Sequence, residues 1–229
     1  MERRRHNLFV LAFGGLLCAL VSLLPASSVA GPPADVTAFL NDIFARLPAQ
    51  TVPQYTFQSW ERAGRPTSEG FGLAPIAVDP DKVISRVMDV DHYVGNIDYV
   101  AECRSVADPA FVPPKSVRFY QRVDVPMLGA VQHELVLVDG GTRDGYRYAY
   151  WYLLEGPTNA LDTDVGARSD YSMGAWVAGN GMLGYALSNA PIRDDVSWAK
   201  WQGMTTGADL TAKPVVLANI EGLAAWAKR

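Results

Sequence analysis

Apolar and polar positions alternate with a period of two along residues 115–155. In its last run Tyr146, Tyr148, Tyr150 and Tyr152 fall on one side, and Ala149, Trp151 and Leu153 on the other. This is the pattern of a strand, whose side chains point in turn to its two faces. The stretch divides into three strand-length runs, 115–125, 130–139 and 145–155, and Gly140-Gly141 predicts the turn joining the last two. So much aromatic surface on one antiparallel sheet needs a cover, either a helix or a ligand.

The flanking chain supplies candidates. Val36, Phe39, Leu40, Ile43, Phe44 and Leu47 share one helical face, and Asp35 is placed to cap that helix. Its polar side lacks a Lys/Arg cluster, which favours packing on the domain over lying on a membrane. Strands are predicted from Tyr55 to Arg62, from Gly70 to Val78 and from Ile97 to Val106. Between the second and third, Asp79-Pro80 opens a short helix to Met88, with Asp79 as cap. Further strands follow at Asp170–Val177 and Met182–Leu187, joined at Gly179-Asn180-Gly181, a hairpin signal. A last strand is read at Val196–Met204, carrying Trp198 and Trp201. Beyond Gly207 the period turns helical, with Val216, Ile220, Leu223 and Ala227 on one face of a helix near 211–227, roughly 25 Å long. Antiparallel strands closed by one long helix predict an α+β fold.

Composition changes this picture little. The chain has 229 residues, 49% hydrophobic and 19% charged, enough for one sizeable core or two small ones. Its formal charge of −4 offers no basic footprint for nucleic acid. The first 30 residues read separately: Arg3, Arg4 and Arg5, an apolar run from Leu8 to Leu24, then Ser28-Val29-Ala30 before Gly31. That order predicts a signal peptide cleaved after Ala30, hence a periplasmic or secreted protein; the alternative is an uncleaved membrane anchor. Cys18 would leave with it, so Cys103 would have no intramolecular disulfide partner. The remaining organisation is an N-terminal helix and linker over 31–54, then one domain over 55–229.

Few residues suggest chemistry. The chain carries no G-x-S-x-G, H-E-x-x-H or phosphate-loop motif, and nothing in it calls for a cofactor or a metal. His92 with Asp89 and Asp91 is bunched in a turn after a helix, a capping arrangement before a metal cluster. His133 alternates with Val131, Leu135 and Leu137 and so shares an apolar face, where it is either a satisfied core residue or a ligand contact; Glu134 takes the opposite face. Arg118 shares a side with Tyr120 and Arg122, facing either solvent or a ligand's polar group. The tyrosine row packs on the N-terminal helix or lines a pocket, and hydropathy does not rank the two faces.

Three segments carry a resemblance. Ala77-Val78-Asp79-Pro80 through Asp89-Val90-Asp91-His92-Tyr93 is similar to a strand, short helix and Asp-x-x-x-Tyr turn. Val125-Pro126 followed by His133-Glu134 resembles a proline and then an Arg-Asp pair leading into a strand, with His-Glu standing where Arg-Asp is usual. Trp201-Gln202-Gly203 leads into the final helix with Trp226. Together, over about residues 55–228, they resemble the START and polyketide-cyclase-like (SRPBCC) superfamily. The resemblance implies the helix-grip fold, a curved antiparallel sheet wrapped around a long C-terminal helix, with a hydrophobic cavity between them.

It also implies binding, or transfer, of a hydrophobic small molecule or lipid such as a sterol, with transient membrane contact. The candidate ligand contacts are His133, Arg118, Tyr148, Tyr150, Trp151, Trp176 and Trp198. A second reading is an enzyme of the cyclase or dehydratase kind using His133 or a tyrosine as acid/base. A third is an interaction module whose sheet–helix gap is packed solid by Trp151, Trp176 and Trp198.

Overall fold

The computed structural model describes residues 31–125, 129–156, 160–206 and 208–229. The segment read as a signal peptide, and Pro126 of the Val125-Pro126 pair, lie outside the described residues. In chain order the elements are α1 (Ala34–Arg46), β1 (Thr56–Trp60), β2 (Glu69–Ala74), α2 (Pro80–Met88), β3 (Val100–Val106), β4 (Ser116–Val125), β5 (Gly129–Arg143), β6 (Tyr146–Leu153), β7 (Ala167–Gly179), β8 (Met182–Pro191), α3 (Trp198–Thr206) and α4 (Ala208–Ala227).

The strands form one 8-stranded sheet in the order β1-β2-β8-β7-β6-β5-β4-β3. Neighbours are antiparallel, and the sheet curves around the C-terminal helix: an α+β helix-grip fold. One extra pairing shows the curvature. β6 leaves the sheet after Leu153, and Gly156 beyond it takes φ +95°. Past that point β5 and β7 pair directly and in parallel, Val131 with Ala167 and Gln132 with Arg168.

Helices cover both faces. On the inner face Val216, Ile220, Leu223, Ala224 and Trp226 of α4 and Val83, Ile84 and Val87 of α2 pack against Leu135, Leu137, Ala149, Trp151 and Trp176. On the outer face Val36, Phe39, Leu40, Ile43 and Phe44 of α1 pack against Tyr146, Tyr150, Ala175 and Val177. The apolar stripe of α1 is therefore spent on the domain itself. α2 begins as the sequence predicts, with the Asp79 carboxylate accepting from the Asp81 and Lys82 N–H groups and Pro80 in the first turn.

Several expectations are corrected. The β5–β6 turn lies at Asp144-Gly145, both at positive φ (51° and 81°), the backbone of a two-residue hairpin loop. Gly140-Gly141 is instead a bulge inside β5, where the register shifts between Asp139 and Gly141. The segment read as a last strand at 196–204 is helix α3. Trp198 and Trp201 are three apart, a helical spacing, and the Ser197 hydroxyl accepts the Lys200 N–H at 3.4 Å as an N-cap does. α1 starts one residue before Asp35, which pairs with Arg65 at 2.5 Å rather than capping the helix. β3 starts at Val100 rather than Ile97, because Tyr99 takes φ +64°. β7 and β8 outrun the runs read from sequence, to Ala167 and Pro191 respectively.

Candidate ligand pocket

A pocket of about 200 Å3 lies between the inner sheet face and the helices α3 and α4. Strand register sorts its walls into levels. At one end stand Trp151, Trp176 and Tyr185. The Tyr185 ring lies 4.2 Å from the Trp176 ring centroid and 5.4 Å from that of Trp151. Trp151 fits because it lies over Gly174, where a Cβ would come within 1.9 Å of the indole. At the other end, toward the β4–β5 connection, are Val123, Val125, Val131, Pro191 and Met204. Both ends are hydrocarbon or aromatic.

A polar band separates them. Gln121 and His133 face each other across β4 and β5, and Ser169 reaches His133 because β7 pairs directly with β5 beyond the end of β6. The His133 Nδ1–Ser169 Oγ distance is 3.0 Å, and His133 Nε2 lies 3.1 Å from Gln121 Oε1. Asn189 Nδ2 donates to Ser169 Oγ at 3.1 Å. An amide oxygen only accepts, so the imidazole proton sits on Nε2 and Nδ1 accepts from the Ser169 hydroxyl. The hydrogen bonds then run one way, Asn189 to Ser169 to His133 to Gln121. Burial of His133 drives its pKa down to about 4, because removing the ring from water disfavours the imidazolium. The ring is neutral at neutral pH and needs no counterion.

No protein-family model and no curated protein matches the chain. Solved structures do match. The STAR-related lipid transfer protein from Xanthomonas axonopodis superposes with a TM-score of 0.59 at 12% identity, over 79% of this chain and 97% of that one. Human StAR-related lipid transfer protein 5 gives 0.58 at 8% identity, over 85% and 95%. The human StarD13 lipid transfer and protein localization domain gives 0.55 at 8%, over 86% and 100%. The fold is that of the START domains.

Within this START fold the seven candidate residues scatter. His133, Trp151 and Trp176 line the pocket. Tyr148 and Tyr150 are on the outer face, where Phe44 of α1 meets Tyr148 edge-on at 5.1 Å and Tyr148, Tyr150 and Tyr152 stack in a row. Arg118 is also outside, held by Glu134 at 2.5 Å and Asp108 at 3.1 Å; the two carboxylates satisfy its guanidinium away from the pocket. Trp198 is 68% exposed on α3. The gap is therefore not filled by a Trp151, Trp176 and Trp198 cluster. His92 bonds Asp89 at 2.7 Å, and Asp91 accepts from Ser105, so that cluster builds a turn. Cys103 is buried and free, and burial pushes its thiol pKa up.

Sequence reasoning missed Gln121, Ser169, Asn189 and Tyr185. Gln121 was findable, as the polar residue between Phe119 and Val123 on an apolar strand face. Ser169 and Asn189 lay outside the strand runs read from the sequence.

Proposed function

We propose that this protein binds a hydrophobic small molecule, such as a lipid or sterol, between its sheet and C-terminal helix. The observation that carries this reading is the pocket itself: two apolar ends around one neutral polar band, in the fold of domains named for lipid transfer. Removing apolar ligand surface from water supplies affinity at about 25 cal/mol per Å2, and the band orients the ligand. A volume of about 200 Å3 is below the roughly 300–1,000 Å3 usual for small-molecule sites. A whole lipid or sterol therefore enters only if the walls yield, and a smaller apolar molecule fits as the pocket stands.

The enzyme reading has less support. His133 borders the pocket, yet both its ring nitrogens are engaged by neutral partners. Its low pKa makes it a weak base, and Ser169 beside it is 0% exposed. Export by the N-terminal segment, and transfer of the ligand with transient membrane contact, complete the proposal. Native mass spectrometry of protein purified from its host is the test. A noncovalent lipid-sized or smaller adduct is expected. The reading fails if none appears and no apolar dye binds. Fractionation of the host cells tests export: the mature protein is expected outside the cytoplasm with Gly31 at its N-terminus.

A further inference from the structure

The polar band has two open ends. The relay from Asn189 through Ser169 and His133 uses the Gln121 amide oxygen and leaves its NH2 group with no protein partner among the described residues. At the far end Asn189 spends its NH2 on Ser169, and Oδ1 likewise has none. Both residues line the pocket. A ligand therefore meets a donor at Gln121 and an acceptor at Asn189, at the level where the wall changes from aromatic to aliphatic. A hydroxyl, which both accepts and donates, satisfies either end.

The wall is equally specific in what it omits. No Asp, Glu, Lys or Arg is among the described lining residues. The charged neighbours on β4 and β5 belong to the opposite face and are paired there: Arg118 with Glu134 and Asp108, and Arg122 with Asp124 and Glu102. A carboxylate or phosphate placed in the band would lose its water and gain no counterion, and an unpaired buried charge is the costliest group to bury.

We infer that the Gln121–His133–Ser169–Asn189 relay selects a neutral, mostly hydrocarbon ligand bearing a hydroxyl, and discriminates against fatty-acid carboxylates and phosphate-bearing lipids. This rests on the binding function proposed above and narrows its ligand class. The direction of the relay makes the selection possible, because a ring fixed as the Nε2–H tautomer presents no positive charge to an anion.

The test is displacement of the neutral dye N-phenylnaphthylamine by decanol and by decanoate near pH 8, where the carboxylate is ionised and His133 neutral. Decanol is expected to displace the dye at a concentration at least about tenfold lower than decanoate. Equal potency, or a preference for decanoate, overturns the neutral-ligand inference and leaves the binding function standing. Failure of the dye and both decyl compounds to bind overturns the binding function itself. In Gln121→Met, decanol affinity is expected to fall about threefold to tenfold more than the affinity for the dye, which makes no hydrogen bond to the band. A decanol affinity that falls no more than the dye's in that variant removes Gln121 from the band. Should Gln121→Met not fold, the decanol–decanoate comparison on the unaltered protein decides alone.

Discussion

The two faces of β6 solve the same packing problem differently. Its outer face carries four tyrosines, and α1 covers them with Phe39, Leu40, Ile43 and Phe44. Its inner face carries Ala149 and Trp151, and there the cover from α4 stops short and leaves a pocket. The more aromatic face is thus the filled one. Polarity is also handled differently. The outer face closes on a charged cluster, in which Glu69, wholly buried, holds Arg62 at 2.5 Å and accepts from the Trp60 indole N–H at 2.7 Å. Arg62 in turn reaches Asp42 of α1 at 2.5 Å. On the inner face the ion pairs of Arg147 with Asp139 and with Asp81 of α2 lie outside the pocket, and the described residues that line the pocket carry only neutral polar groups. Charge ties α1 to the β1–β2 hairpin; neutrality keeps the pocket hospitable to hydrocarbon.

The largest expected effect breaks the charged side of this contrast. Glu69→Ala strands the Arg62 guanidinium and the Trp60 N–H, and removing one partner of a buried pair costs about 3–5 kcal/mol. The lower end is expected, because Arg62 keeps Asp42. Denaturant unfolding should show the full loss, while the dye affinity of the folded fraction stays within twofold. A large change in dye affinity would mean that the two faces are coupled through the sheet.

Much of this contrast was legible in the sequence and part of it was not. Alternation through Tyr146–Leu153 showed two distinct faces, and the stripe on α1 showed that a helix was available to cover one. Assigning helix to face required the sheet's curvature, which no local pattern encodes. His133 was legible as a polar residue on an apolar face because its alternation partners are Val131, Leu135 and Leu137. Its bond to Ser169, 36 residues away, was not, since it depends on where β6 stops. Trp198 misled for a different reason. Two tryptophans after a turn read as strand by residue type, while their three-residue spacing and Ser197 specify a helix. Arg118 read as facing solvent or a ligand's polar group and Glu134 as facing away from His133, and only the β4–β5 register makes them partners.

A comparable effect, spread over a pH range, probes the neutral side. The pKa of His133 is about 4 in the folded protein against 6.5 when unfolded. The unfolded chain therefore binds the proton more readily, and the stability due to a neutral His133 is fully present above pH 6.5. It is lost as pH falls toward 4, by a total on the order of 3 kcal/mol. Asp108 and Asp195, held below the usual carboxylate range by hydrogen bonds to a backbone N–H and to Arg118 and Arg168 respectively, lose theirs at lower pH. His92, raised by Asp89, acts in the opposite sense, stabilising at acid pH and losing that as pH rises. His133→Gln removes this pH dependence. Unfolding free energies of the two proteins between pH 7 and 4 should converge on acidification, and parallel curves would mean that His133 is already solvated or charged in the fold.

The finest comparison uses neighbouring levels of the same two faces. Gly174→Ala puts a methyl 1.9 Å from the Trp151 indole on the inner face. The ring must shift into the pocket and the Ala186 carbonyl of β8, 2.5 Å from the same methyl, must move as well, at the upper end of about 1–3 kcal/mol of overpacking, with weaker dye binding. Tyr150→Phe removes an outer-face hydroxyl that has no hydrogen-bond partner among the described residues, while the ring keeps its stacking between Tyr148 and Tyr152. Burial has already raised that phenol's pKa to about 12, so no ionised form contributes near neutrality. Stability should change by no more than about 0.5 kcal/mol and dye affinity not at all. If Tyr150→Phe weakened the dye as Gly174→Ala does, the tyrosine row would belong to the site after all, and the division of labour between the two faces would fall.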